Sequence, residues 1–261
     1  MALSAPAPAA FDKEAIRRRF ERAAAYYDIF SVVQRGMAER LVERIEREPS
    51  SILDLGCGTG YLTELLSKRF PWAQITAVDF APAMIELARK RVPDALFLAC
   101  DIEELELEPA SYDLIVSNAT IQWLTEPERT LARLAGSLAR PGELQLATFG
   151  PRTFWELDEV LRELGCERGL NLPPAWKWET LLAGAGISRI RARSCEERFA
   201  YPDCAAFLRS VKSSGAGYTP HVLAPGTLAE GMRRYDEQFS NGAGVTVTYE
   251  IVTLSAERSD S

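Results

Sequence analysis

The chain predicts an α/β fold in which a mostly parallel sheet carries helices on both faces and a helical lid. Three observations lead there. Short apolar runs near 51–55, 75–79, 95–99, 112–117 and 142–149 alternate with helical patterns near 60–69, 82–91, 127–139 and 175–185. Regular β–α alternation implies parallel strands joined by right-handed crossovers. A glycine-rich turn, Gly56-Cys57-Gly58-Thr59-Gly60, joins the first strand of this series to its helix. Such a turn lets backbone approach a ligand and aims the free N–H groups of a helix start above the strand. Finally, Asp54, Asp79, Asp101 and Asn118 stand at or just after four successive strand ends, the edge at which open α/β sheets bind ligands.

The elements follow in order. Ile16 and Phe20, four residues apart, make one face of an N-terminal helix apolar, with Arg17, Arg18 and Arg19 beside them. A second helix over about 31–47 repeats the spacing with Val33, Met37, Leu41 and Ile45, and Pro49 stops it. The alternation loosens beyond 150. A helical stripe of Phe154, Leu157, Val160, Leu161 and Leu164 precedes strand-like residues at 187–199 and a helix at 202–213. Gly215-Ala216-Gly217 breaks the chain before a helix at 226–239, and Asn241–Gly244 turns into a final strand at 245–252, suited to an antiparallel place at the sheet edge. Residues 12–254 therefore read as one domain, with 12–50 and about 150–242 as lid elements, between tails at 1–11 and 255–261.

Composition excludes several functions. No apolar run approaches the roughly 20 residues that span a bilayer, and the Pro/Ala-rich start lacks the basic region of a signal peptide. The net charge of −7 disfavours nucleic-acid binding, which needs a clustered positive field. Five cysteines, odd in number and without a Cys-x-x-Cys pair, suit a reducing cytoplasm rather than a disulfide frame or a zinc site. With one histidine, His221, a His-based metal centre is not expected. The chain reads as a cytoplasmic monomer with no metal.

The glycine spacing separates two cofactors. A dinucleotide fingerprint needs Gly-x-Gly-x-x-Gly, and Tyr61 stands where its third glycine belongs. Asp79 ends the second strand, the place from which a carboxylate can accept hydrogen bonds from both hydroxyls of a ribose; its plainer role is to cap the helix opening at Pro82. Phe80 and Met84 suit an adenine or the core. With Asp54 ahead of Gly56-x-Gly58-x-Gly60, the segment Ile52–Leu62 resembles the Rossmann-like class I S-adenosylmethionine (SAM)-dependent methyltransferases, a fold of seven strands. That resemblance implies that Asp54 holds the aminoacyl end of SAM, directly or through water, beside the glycine backbone. It implies that Asp101 accepts the adenine amino group, that the Ile102 N–H meets the ring, and that Asn118 lies beside the methyl group. Gln122 and Trp123 would wall the site. Tyr26 and Tyr27 sit in the lid, where a ring suits the sulfonium cation.

A closer resemblance rests on three further segments. They are Ile16-Arg17-Arg18-Arg19-Phe20 with Ala23–Asp28 and Gln34; Ser117-Asn118-Ala119-Thr120-Ile121-Gln122-Trp123; and Phe149–Leu157 with Leu208–Ala216. Together they are similar to the malonyl-acyl-carrier-protein O-methyltransferases of biotin synthesis, in which a histidine usually stands at the position of Tyr26. The resemblance implies methyl transfer from SAM to the malonyl carboxylate, with Gln34 and Tyr26 at the cofactor and Tyr27 and Trp123 at the substrate. A carboxylate is ionised at neutral pH and needs no general base, so positioning is the main task. Arg152, Arg209 and Lys212 are candidates to hold it, since an arginine fork fits a carboxylate. An acidic carrier protein would need local positive charge, for which Arg189, Arg191, Arg193 and Arg198, or Arg233 and Arg234, are candidates. Three alternatives stay open: a methyltransferase of another small acid or of a carbon acceptor, with His221 as base; a SAM-binding protein without turnover; and a nicotinamide-dependent reductase.

Overall fold

A computed structural model describes residues 12–167, 171–217 and 223–258. Seven strands form one sheet: β1 (Ser51–Leu55), β2 (Gln74–Asp79), β3 (Leu96–Ala99), β4 (Tyr112–Asn118), β5 (Leu138–Phe149), β6 (Ser188–Tyr201) and β7 (Val245–Arg258). Their order is β3-β2-β1-β4-β5-β7-β6. The first five pair in parallel, and β7 runs antiparallel to both β5 and β6. The order reverses at β1, which lies between β2 and β4, and this opens a crevice at the carboxyl ends of those strands.

The α/β alternation is as the sequence predicts for the first five strands, because the interior ones β1, β2 and β4 are largely apolar runs covered on both faces, while β3 forms one edge of the sheet. Neighbouring residues point to opposite faces. Ile52, Leu114 and Val116 join one buried cluster, and Leu53, Ile115 and Leu144 join the other. Helices α3 (Val32–Glu43), α4 (Tyr61–Arg69) and α7 (Trp155–Glu163) cover the first face. Helices α6 (Pro127–Ser137) and α8 (Ala175–Gly184) cover the second, with α8 burying Trp178, Leu181 and Leu182. Helix α5 (Pro82–Arg91) packs Ile85 and Ala88 against Ala77 and Phe97.

Three expectations are corrected. The final strand is antiparallel but interior: β6 pairs along its outer side and becomes the edge. Residues 175–201 therefore belong to the sheet and its covering layer rather than to a lid. Strand β7 also continues through Arg258, whose guanidinium donates to the carbonyls of Ala135, Gly136 and Leu138, so 255–258 is not a tail.

The N-terminal lid is α1 (Lys13–Ala23), a 3₁₀ turn at Ala24–Tyr26, the single turn α2 (Tyr27–Phe30), and α3. The side chain of Asp12 caps α1 by accepting from Ala15 N at 2.9 Å. Helices α9 (Cys204–Ser213) and α10 (Pro225–Gln238) stand over the same face of the sheet, where Phe207 and Tyr235 are fully buried.

Candidate functional site

The glycine turn sits at the carboxyl end of β1. Gly56 and Cys57 donate backbone N–H groups to the Val78 carbonyl at 2.7 and 3.0 Å, tying the turn to β2. Gly56 has φ +70°, and a Cβ there would lie 2.1 Å from Thr120 Oγ1. Gly60, at φ +84°, opens α4, and a Cβ there would lie 3.0 Å from the backbone of Ala88 in α5. The third glycine of the run thus allows two helices to approach, a task different from that of the dinucleotide fingerprint.

Asp79 organises the turn. One carboxylate oxygen accepts from Gly58 N at 2.9 Å and the other from Ala81 N at 2.8 Å. Asp79 thus holds the turn ahead of α5 but does not cap the helix, whose N-cap position is Ala81, and each oxygen keeps a further lone pair for a ligand. Asp79 lines a cavity together with Lys13, Phe20, Tyr27, Phe80, Met84, Asp101, Ile102, Asn118, Thr120 and Trp123. The Phe20 ring lies 6.0 to 6.3 Å from those of Tyr27, Phe80 and Trp123, so α1 closes this cavity with an aromatic wall. Lys13 ties the start of α1 down through Asp101 (2.6 Å) and Glu103. Burial opposes its charge, but the bonds from the two carboxylates outweigh that and hold its pKa above the usual value.

A second chamber adjoins the first, since Tyr27, Gly56, Gly58 and Asn118 line both. Ser31, Gln34, Arg35 and Tyr61 complete it. Buried polar atoms without a protein partner gather around it: Ser31 Oγ, Arg35 Nε, Asn118 Oδ1 and, beneath the turn, Asp54 Oδ1. Unsatisfied buried groups are costly, and a cluster holding both donors and acceptors suits a ligand that carries an ammonium and a carboxylate. The acidic, aromatic-walled first chamber suits a nucleoside. The two together fit SAM.

Several expected residues lie elsewhere. Asp54 is fully buried and lines neither chamber; it accepts from Thr63 Oγ1 at 2.7 Å, so it supports the turn from below. Asn118 stays at the site, lining both chambers, and its side chain also donates to the Gln34 carbonyl at 2.8 Å, which places α3 against β4. Gln122 is held between the Ala119 carbonyl and Thr148 and does not wall the cavity. Tyr26 is 62% exposed and faces an outer groove, because the 3₁₀ turn rotates it away while Tyr27 points inward. Arg152 pairs with Glu196 and stacks on Trp155 at the surface. The segment around it is structural: Arg152 N donates to Glu250 at 2.7 Å, Phe154 N to the Thr248 carbonyl at 2.8 Å, and Glu156 accepts from Thr248 N at 3.2 Å. Arg209 and Lys212 line the outer groove. His221 lies outside the described residues. Sequence reasoning missed Lys13, Ser31, Arg35 and Thr120; Arg35, next to Gln34 on a lid helix, was the most accessible to it.

Burial pushes the carboxyl of Asp54 up to about 7 and that of Asp79 up to about 6, against the lowering effect of their hydrogen bonds. Because both values are raised, the folded empty protein holds more protons than the unfolded chain between about pH 4 and 7. It therefore loses stability as pH rises through that window. A cationic ligand favours the ionised form of Asp79, which lines the cavity, so SAM affinity is expected to rise by up to about tenfold per pH unit up to about pH 6 and to level off above it. Calorimetric titration from about pH 5 to 8 checks this, and a flat affinity would contradict it.

Comparison with known proteins agrees with this geometry. Residues 52–142 match the family model described as a methyltransferase domain. The chain is similar to the malonyl-[acyl-carrier protein] O-methyltransferase of Paenibacillus sp. (strain JDR-2), at 40% identity over 94% of this chain and 98% of that one. It is similar to proteins of the same name from Anoxybacillus flavithermus, at 38% identity over 93% and 96%, and Geobacter sulfurreducens, at 36% over 92% and 97%. Among solved structures, the YcgJ protein of Bacillus subtilis superposes with a TM-score of 0.63 at 14% identity, covering 87% of this chain and 99% of that one. Haemonchus contortus phosphoethanolamine N-methyltransferase 2, in complex with S-adenosyl-L-methionine, does so with a TM-score of 0.58 at 16% identity, covering 86% and 53%. Those two likenesses establish the class I methyltransferase fold. Identities near 40% along almost the whole of both chains place this protein in the malonyl-[acyl-carrier protein] O-methyltransferase family.

Proposed function

We propose that the chain transfers a methyl group from SAM to the free carboxylate of a malonyl thioester carried on an acyl-carrier protein, giving the methyl ester that primes pimeloyl synthesis for biotin. The relatives named for this activity support the reading. The observation that carries it is the cavity lining, which offers, among the described residues, no histidine and no unpaired amine to act as a base. Lys13 and Asp101 pair with each other, and Asp79 is held by two backbone N–H groups. Burial, with the charges of Asp79 and Asp28, pushes the Tyr27 phenol above its usual range. Such a site suits an acceptor that arrives ionised, as a carboxylate does.

SAM, when bound, supplies an electrophilic methyl group on a sulfonium. The protein's own residues bind and enclose. Asp79 offers acceptors to the ribose, and Arg35 and Ser31 offer donors to the aminoacyl end. The aromatic faces of Phe20, Tyr27 and Trp123 exclude water and favour a cation. Asp28 secures the closed lid by accepting from Thr59 Oγ1 at 2.6 Å and pairing with Arg91.

The test is incubation of the pure protein with SAM and malonyl-acyl-carrier protein, with malonyl-coenzyme A and trans-aconitate in parallel and products read by mass spectrometry. One methyl on the malonyl group, removable by mild ester hydrolysis, is the expected product. Clear SAM binding with transfer only to trans-aconitate, or to nothing, would overturn the acceptor.

A further inference from the structure

We infer that the groove between α1 and α9 is the docking surface for the acidic carrier protein; this rests on the acceptor proposed above. The groove is lined by Arg19, Arg22, Tyr26, Phe30, Arg209 and Lys212, with small residues between them and no acidic side chain among the described lining residues. Four cations are thus concentrated on a chain whose net charge is −7. Arg22 and Lys212 are exposed and have no ion-pair partner among the described residues, and the carboxylate paired with Arg209, that of Asp203, is 3.9 Å away. Exposed aromatic and aliphatic side chains, Tyr26, Phe30 and the neighbouring Ile29, add an apolar anchor. A cationic rim around an apolar strip matches an acidic, amphipathic helical partner in both charge and hydropathy.

Position separates this groove from the other arginine clusters. Arg19, Arg22 and Tyr26 recur at three- and four-residue spacing along one side of the N-terminal lid, while Phe20 faces the cofactor cavity from the other. The end of α9 rests directly on Phe20: a Cβ at Gly215 would lie 2.8 Å from its ring. Groove and cavity therefore share α1 as a wall, and an acyl arm anchored at the groove has a short way to the cavity. Arg189, Arg191 and Arg193 lie at the amino end of β6. That strand runs parallel to β5 because both pair antiparallel with β7, so its amino end is remote from the crevice. Arg198 points to the opposite face from Arg191 and Arg193, since strand neighbours alternate. Arg233 and Arg234 are neutralised by Glu230, Glu237 and Glu163.

The test reverses charge at Arg22→Glu with Lys212→Glu, and at Arg191→Glu with Arg193→Glu as a control pair. Methyl transfer is measured to malonyl-acyl-carrier protein, malonyl-coenzyme A and the small neutral thioester malonyl-N-acetylcysteamine. For the groove pair, kcat/KM for the carrier protein is expected to fall at least about tenfold and to lose its salt dependence. The small thioester should change less than about twofold, SAM affinity should hold, and the control pair should behave as the unaltered chain. An unchanged carrier-protein rate, or an equal fall with the small thioester, would overturn the inference and leave the acceptor standing. An equal fall for carrier protein and coenzyme A, with the small thioester spared, would also overturn it, because the groove would then be reading a phosphate. Absence of transfer to the carrier protein by the unaltered chain would overturn the acceptor, and the docking surface with it.

Discussion

Replacing Asp79 with asparagine is expected to weaken SAM binding about 100-fold while leaving the sheet folded. The carboxylate accepts from Gly58 N on one oxygen and Ala81 N on the other. An asparagine keeps one acceptor and turns an NH₂ group towards one of those two donors. Either the glycine turn or the start of α5 must then move, and a ribose bound as proposed would lose an acceptor. Hydrogen bonds to charged groups contribute about 1.5–3 kcal/mol each, and about 2.7 kcal/mol corresponds to 100-fold. Removing a buried carboxylate whose pKa stands at about 6 also relieves the empty protein of a charge that burial disfavours. The cost should therefore fall on binding far more than on thermal stability. Titration calorimetry with denaturation scans separates the two, and a change in Kd below about threefold would show that Asp79 only holds the glycine turn and the turn ahead of α5.

Gly56→Ala is expected to lose stability and cofactor together. The added Cβ would lie 2.1, 2.3 and 2.6 Å from Oγ1, Cγ2 and Cβ of Thr120, so no rotation of that side chain makes room. The residue would also hold φ +70°, which disfavours an L side chain by about 1–2 kcal/mol. Overpacking adds about 1–3 kcal/mol, and together these lower Tm by roughly 5–15 °C in a chain of this size. Thr120→Gly in the same chain removes the clash and leaves the dihedral strain. The double variant should therefore recover part of the stability, a coupling expected only for residues in contact. Failure of Thr120→Gly to recover any would mean that strain alone accounts for the loss.

The parts of this molecule legible in the sequence are those whose cause is local. The first five strands and their helices carry their own periodicities. The glycine turn shows its need for positive φ in its composition, and Asp79 sits at a strand end fixed by the run before it. Other features depend on contacts between distant segments. Whether β7 is an edge or an interior strand is decided by β6, more than 40 residues earlier, which pairs along its open side. Tyr26 and Tyr27 are chemically identical neighbours, and a single 3₁₀ turn sends one to the groove and the other to the cavity. The arginines were the least legible of all. Arg152 is consumed by Glu196, Arg233 by Glu230 and Glu237, while Arg22 and Lys212 have no ion-pair partner among the described residues, and sequence spacing distinguishes none of these cases.

By itself the sequence determined the fold class and the family and pointed to the crevice edge of the sheet, because strand and helix periodicity, turn glycines and short motifs are written in neighbouring residues. The tertiary structure alone decided which polar atoms are left unpaired around the second chamber, which lid residue closes the cavity, and where positive charge survives to meet a partner. Each of these is a balance between groups far apart in the chain, settled by which side chains folding brings within hydrogen-bond reach.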